Sequence, residues 1–451
     1  MEDWVRAERH AEAARMLAER GRWAWALRHL DRAIAFDPER GVWHAERGVA
    51  LDALGRHDEA VDAYRLSVDL DEETSGLRLR LGSALLRLGR IDEAEAELRR
   101  SASLEPEAIE PWLELLTLYS HTQDHDARDE AFYTAQAIDD ASPDLYDVMG
   151  QSLASQGDLT RALLCWQEVL KRDARHPDAR LRMARACWQS GQHRRAHRLY
   201  TQQLNLNPTD AEALLELGGL LTESRRLGEA RATLQSLVEL EPDHADAHAI
   251  LAEIALTQGH ADAADRRLRR VLKLDPDRPS AYLGLAKAAL LAGNEDEARG
   301  HLEVELARAE PGSADTVALA RMAIRLGMHD TATRLLSPWR RQWVDHAPLG
   351  QAADAALLFG VARLLAEDAQ AGIAACRASY RLDPGSSVAL CNIALAYRHA
   401  GRHARARATL RRALREHPDD RRVASLKRRL RFARLRDAFA KLLGRGPSVE
   451  P

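Results

Sequence analysis

Two histidine pairs are the residues of this 451-residue chain whose spacing comes nearest to chemistry. His193 and His197 lie four apart, as do His399 and His403. On a helix that spacing puts two imidazoles on one face, where a metal ion could bridge them. Neither pair has a third ligand close by, and Gly401 interrupts the second pair, so both read as solvated surface histidines. The four cysteines, Cys165, Cys187, Cys376 and Cys391, show no CxxC spacing. Cys187 and Cys376 fall on apolar stripes, where a free thiol acts as a small buried hydrophobe. No Gly-rich phosphate loop, HExxH, GxSxG or clustered-carboxylate signature is present. The expectation is a chain that is not an enzyme, with no catalytic residue, no cofactor and no metal site.

The elements behind these residues follow from composition and period. Only 5% of the chain is aromatic and 30% is charged, in a text dominated by Ala, Leu, Arg and Glu, which are good helix formers. Val, Ile and Thr are too sparse for many strands, so the fold class is all-α. From Ala7 a 34-residue frame runs through ten units to residue 346. Residues 347–352 break the spacing, and two further units start at Ala353 and Ser387. The fifteenth position is Gly in nine of twelve units, the twentieth is Ala in ten, and the eighth is Gly or Ala in eleven. Apolar residues keep a 3.6-residue rhythm on both sides of the Gly, which predicts two amphipathic helices per unit. The Gly ends the first helix in a left-handed conformation, and the acids of Asp58-Glu59 or Asp92-Glu93 suit the unpaired amides opening the second. Leu-Asp-Pro, as at 274–276, stops the second helix. Small residues at positions eight and twenty let the helices approach closely.

These columns resemble the tetratricopeptide repeat family, whose 34-residue helix–turn–helix unit has small residues at positions eight and twenty and Pro at thirty-two, here Pro38, Pro106, Pro208, Pro242, Pro276, Pro384 and Pro418. The resemblance covers residues 7–420. It departs at Gln123 and Arg128 in unit four and at 337–352, which holds Trp339 and Trp343. It implies a right-handed superhelical solenoid of about 12 hairpins, each stacked on its neighbours because one hairpin cannot bury its own apolar face. The domain expectation is repeats over 1–346 and 353–420, a basic capping helix over 421–445, and a tail over 446–451.

The resemblance also implies a concave groove lined by positions 2, 5, 9, 12 and 13 of the first helices. That frame nominates Gln151, Arg185, Trp188 and Gln189 in the middle units. It nominates Leu283, Lys287, Leu290, Arg321, Ile324, Arg325, Leu357 and Leu364 in units nine to eleven, and Arg398 in the last, to which the sixth-position Asn392 is added as the slot of a carboxylate clamp. Two readings of these leucines punctuated by cations stay open: tighter coiling buries them between adjacent first helices, or they take an extended or helical partner segment with apolar and acidic residues. The carboxylate clamp of chaperone-tail binders is incomplete, since Leu357 and Val361 stand where a Lys and an Asn belong. The Asn ladder of the nucleocytoplasmic O-linked GlcNAc transferase is absent from the sixth positions, which hold residues such as Glu46, Arg182 and Glu216.

Charge is uneven along the chain. Residues 401–451 hold 16 Lys and Arg against 5 Asp and Glu, in a chain of net charge −4, so residues 1–400 carry −15. Such asymmetry points the basic end, including Arg428, Arg429, Arg431 and Arg434, toward an anionic surface. With only Phe432 and Phe439 interleaved there, a membrane or an acidic protein outranks nucleic acid. The first residues carry acids where a secretory peptide carries a basic run, and no stretch approaches the ~18 apolar residues of a membrane span. Cytoplasmic residence is the expectation. The functional expectation is a scaffold that captures a partner segment in its groove. The alternatives are a peripheral adaptor anchored by the basic end, and a recognition subunit of a glycosyltransferase or envelope-assembly complex. Oligomeric state is left open.

Overall fold

The helices expected from the 34-residue frame are present, and no strand occurs among the described residues. The computed structural model describes residues 2–70, 74–309, 315–338 and 349–428. In chain order the first six pairs are α1 (Glu2–Glu19) and α2 (Trp23–Phe36), α3 (Gly41–Ala53) and α4 (His57–Leu70), α5 (Ser75–Arg87) and α6 (Ile91–Leu104), α7 (Glu110–Thr122) and α8 (His125–Ile138), α9 (Pro143–Ser155) and α10 (Leu159–Arg172), α11 (Ala179–Gln189) and α12 (His193–Leu206). There follow α13 (Ala211–Glu223), α14 (Leu227–Leu240), α15 (Ala245–Thr257), α16 (Ala261–Leu274), α17 (Ala281–Leu291), α18 (Glu295–Arg308), α19 (Asp315–Arg325) and α20 (His329–Leu336). The last are α21 (Leu349–Leu365), α22 (Ala369–Leu382), α23 (Ser387–His399) and α24 (His403–Glu416). The chain forms two compact units, residues 1–220 and 221–451.

Each column of the frame has its structural counterpart. The twentieth-position alanines, among them Ala26, Ala94 and Ala264, are fully buried. A Cβ on Gly48 would lie 2.5 Å from the Tyr64 ring, one on Gly150 2.7 Å from Trp166 Nε1 and one on Gly82 2.7 Å from Leu98, so the eighth position is small there because a side chain of the second helix fills that space. The turn after the first helix is left-handed whatever residue occupies it. Gly157 has φ +83°, and the three units lacking Gly adopt the same turn with Gln123, Arg225 and Glu367 at φ between 59° and 64°. Second helices open on side-chain caps where the residue allows: Asp124 and Asp158 each accept an amide at 3.0 Å.

Unit four keeps its fold by another route. Arg128, in the slot of the twentieth-position alanine, is 3% exposed. Its guanidinium donates to Gln156 Oε1 at 2.7 Å and to Asp129 Oδ1 at 2.8 Å. At the other end, residues 421–428 are helical, and Val423 and Leu426 bury against Leu390, Cys391, Ala394 and Ala413, while the rest of the expected capping helix over 421–445 and the tail over 446–451 lie outside the described residues. Trp339, Trp343 and most of the 337–352 break lie outside the described residues.

Candidate functional site

The cations of units nine and ten come together on successive first helices. Lys287 of α17 and Arg321 of α19 occupy the same repeat position, 34 residues apart, and Arg325 follows Arg321 by one turn. With Gln351 and Asp354 of α21 they line a concavity of about 460 Å³ whose apolar wall includes Val317 and Met322. Arg321 Nη2 lies 3.6 Å from Asp354 Oδ2, with both side chains more than half exposed. Lys287 and Arg325 have no carboxylate partner among the described residues. The site therefore carries three cations and one acid on a partly apolar wall.

The leucines nominated beside them follow the packing alternative. Leu283 is 3% exposed and belongs to the core with Leu302, Leu319 and Met322, so it is a packing residue and unavailable to a partner. Leu290 and Ile324 are half-buried and pack on the same core. Leu357 and Leu364 are half-buried against Ile373, Cys376 and Tyr397. Close approach of the alanine-rich helices draws these side chains inward. Only Leu291 and Leu365, at the ends of α17 and α21, stay half exposed. What remains on the surface is more cationic than apolar.

The second nominated cluster satisfies itself. Arg185 Nε donates to Glu216 Oε1 at 2.6 Å, and its Nη2 pairs with Glu212. Burial opposes the Arg185 charge, and its hydrogen bond to Glu216 leads the attractions that more than offset it, holding the guanidinium protonated. Burial also pushes the Glu216 carboxyl up from its ordinary range, against the pull of Arg185. Trp188 is half-buried, its indole about 3.1 Å from where a Cβ on Gly219 would stand. Gln151 is exposed and donates to Asp147 Oδ2 at 2.9 Å, while Gln189 is exposed.

Asp147 is a node the sequence reading passed over. It is 7% exposed, accepts the Trp166 indole N–H at 3.0 Å, and pairs with Arg182 of the next unit. The space that lets Trp166 reach it is the one left by Gly150. Asp354 was legible, since it stands at the second position of its unit. Gln351 was not, because it lies in the break.

The remaining nominated residues are dispersed. Asn392 and Arg398 are half-buried on α23, and Arg428 is exposed on the helical stretch 421–428. Arg429, Arg431 and Arg434 lie outside the described residues. Of the cysteines, Cys376 is pushed up to about 12 and Cys165 to about 11, both by burial, so neither thiol ionises near neutral pH. Among the described residues no group of His, Cys, Asp and Glu could hold a metal ion, and no helix is long and apolar enough to cross a membrane.

Family models agree with this architecture. Three family models, each described as tetratricopeptide repeat, match the chain: one over 6–73, 148–193 and 250–314, one over 188–254 and 363–430, and one over 75–118. Among solved structures, the chain is similar to the APC/C hetero-tetramer Cut9–Hcn1, at 16% identity over 92% of this chain and 88% of that one, with a TM-score of 0.46. It is similar to yeast Tom70 at 13% identity, covering 98% and 99%, with a TM-score of 0.44. It is also similar to YrrB, a tetratricopeptide repeat protein with an unusual peptide-binding site, at 18% identity over 41% of this chain and 95% of that one, with a TM-score of 0.35. No characterised protein sequence matches it.

Proposed function

The chain belongs to the tetratricopeptide repeat family, and from that premise we propose that it is a non-enzymatic scaffold holding an acidic segment of another protein on α17, α19 and α21. The observation that carries this reading is the trio Lys287, Arg321 and Arg325 around one concavity, answered there by Asp354 alone. A segment with carboxylates spaced along its length neutralises the two unpaired cations and competes with Asp354 for the third. Aliphatic side chains between those carboxylates lie on the half-buried Val317.

The energies set the kind of binding. Each exposed ion pair contributes about 0.2–1 kcal/mol, so no single contact holds the segment. Several together, with modest apolar burial, reach the micromolar range, and the electrostatic part weakens as salt rises. The partner is thus recognised by a pattern of charge along a chain, with a fast off-rate.

The test is fluorescence anisotropy with a labelled peptide alternating Glu with Leu, titrated with the full chain. Binding that falls at least about tenfold in the doubly substituted Lys287→Glu, Arg325→Glu protein, and falls with added salt, supports the reading. Equal binding by both proteins, or no binding of the acidic peptide at low salt, ends it.

A further inference from the structure

One face of the first helix is exposed where the same repeat positions are buried in the later units. Arg9 and Met16 occupy the third and tenth positions of unit one. At the third position the later units bury residues such as Trp43, Leu77, Leu145 and Ala247, and at the tenth they bury Ala50, Leu118, Ile254 and Met322. In those units the first helix packs on the second helix of the preceding hairpin, as α3 packs on α2. On α1, Arg9 is exposed and Met16 is 51% exposed.

The exposed residues form a stripe with an internal symmetry. Val5, Arg9, Glu12 and Met16 are spaced by four, three and four residues, which keeps them on one side of a helix. The buried Ala7, Ala11 and Ala14 occupy the opposite side, against α2. Read in either direction, the stripe runs apolar, charged, charged, apolar, with the two charges opposite in sign. Neither Arg9 nor Glu12 has an ion-pair partner among the described residues.

We propose that this stripe is a contact between two copies of the chain, with the α1 helices antiparallel about a two-fold axis near residues 10 and 11. In that arrangement Arg9 of each copy meets Glu12 of the other, and Val5 of each meets Met16 of the other. A two-fold contact requires a patch complementary to itself, and this pattern meets the requirement. A parallel arrangement would set like charges side by side. An 18-residue helix is about 27 Å long, so the contact belongs to the small, weak class, with a dissociation constant in the micromolar range.

Sedimentation equilibrium of the full chain across micromolar concentrations tests this, with circular dichroism confirming that each variant keeps its helix content. The wild type should form dimers. Arg9→Glu alone and Glu12→Arg alone should each weaken the dimer by roughly 100-fold or more, because each sets like charges opposite one another twice. An equimolar mixture of those two variants should associate again, since the opposed charges then differ in sign, and the double variant Arg9→Glu, Glu12→Arg should dimerise like the wild type. Met16→Glu should abolish the dimer in every background. A wild type that is monomeric throughout overturns the proposal. So does a dimer indifferent to these substitutions, or one that the mixture and the double variant fail to restore.

Discussion

Helices α11 and α19 both place an arginine at the ninth repeat position, and the two arginines meet opposite circumstances. Arg185 is gripped by Glu216 at 2.6 Å and by Glu212, with its side chain 35% exposed. Arg321 is 56% exposed and meets Asp354 at 3.6 Å. The difference lies in the sixth position of the following unit. There Glu216 answers Arg185, as Glu46 answers Arg15 at 2.6 Å near the start of the chain. After Lys287 and Arg321 the corresponding residues are Ala318 and Leu358. One repeated slot thus yields a close ion pair, a longer one at Arg321, or, at Lys287, a cation with no carboxylate partner among the described residues, according to the acids the next unit supplies. The first outcome joins neighbouring hairpins; the others leave charge for the segment proposed to bind there.

The largest expected effect probes the self-satisfied region. Asp147→Ala removes the acceptor of the buried Trp166 indole and leaves Arg182 with only Asp178 at 3.2 Å. The loss should be about 3 kcal/mol, seen as an earlier transition in denaturant followed by tryptophan fluorescence. Asp147→Asn, which keeps an acceptor for the indole, should lose less. Equal transitions for all three proteins would show that this network contributes nothing to stacking, and the contrast with the open groove would collapse.

The complementary change converts the open region into the closed kind. Ala318→Glu puts an acid at the sixth position beside Lys287, reproducing the geometry of Arg185 and Glu216. It should reduce binding of the Glu/Leu peptide about fivefold to tenfold, equivalent to roughly 1 kcal/mol, while leaving the thermal midpoint nearly unchanged. Arg185→Ala should do the reverse, lowering the midpoint without affecting peptide binding. If Arg185→Ala weakens the peptide as much as Ala318→Glu does, the two regions are one site and the distinction fails.

The buried acid also has a pH signature. Because burial raises Glu216 above its ordinary value, its ionised form is disfavoured in the folded protein. The folded state then binds a proton more readily than the unfolded one, so this residue contributes more stability as pH falls from neutral toward the ordinary carboxylate range. Glu216→Gln deletes that contribution. The midpoint of the wild type, measured against that of Glu216→Gln, should therefore rise between pH 7 and pH 5. A difference that stays constant or shrinks over that interval contradicts the assignment.

The fold was legible because its constraints repeat. A Gly at the turn, an Ala at position twenty and a small residue at position eight each answer a steric demand that recurs every 34 residues. Lys287, Arg321 and Arg325 were legible for the same reason, since the frame alone puts them on one face. Leu283 was not. Whether an apolar groove residue faces solvent depends on how closely successive first helices approach, and spacing along one chain carries no such distance. Arg128 shows the same limit from the other side: an arginine in an alanine slot looks like a fault until Gln156 and Asp129 are found beside it.

The smallest effect asks whether the two regions share one backbone while differing in side chains. Gln123 in residues 1–220 and Glu367 in residues 221–451 both sit in the left-handed turn, with φ of 59° and 64°. An L side chain in that conformation costs roughly 1–2 kcal/mol, whereas glycine brings an entropic cost of about 0.5–1 kcal/mol. Gln123→Gly and Glu367→Gly should therefore each stabilise by about 0.5–1 kcal/mol, read as higher thermal midpoints, with peptide binding unchanged. Equal gains at the two positions would place the whole contrast between Arg185 and Arg321 in side-chain charge. A gain at one position alone would mean that the turns themselves differ, so that the freedom of the groove cations reflects backbone as well as the residue at the sixth slot.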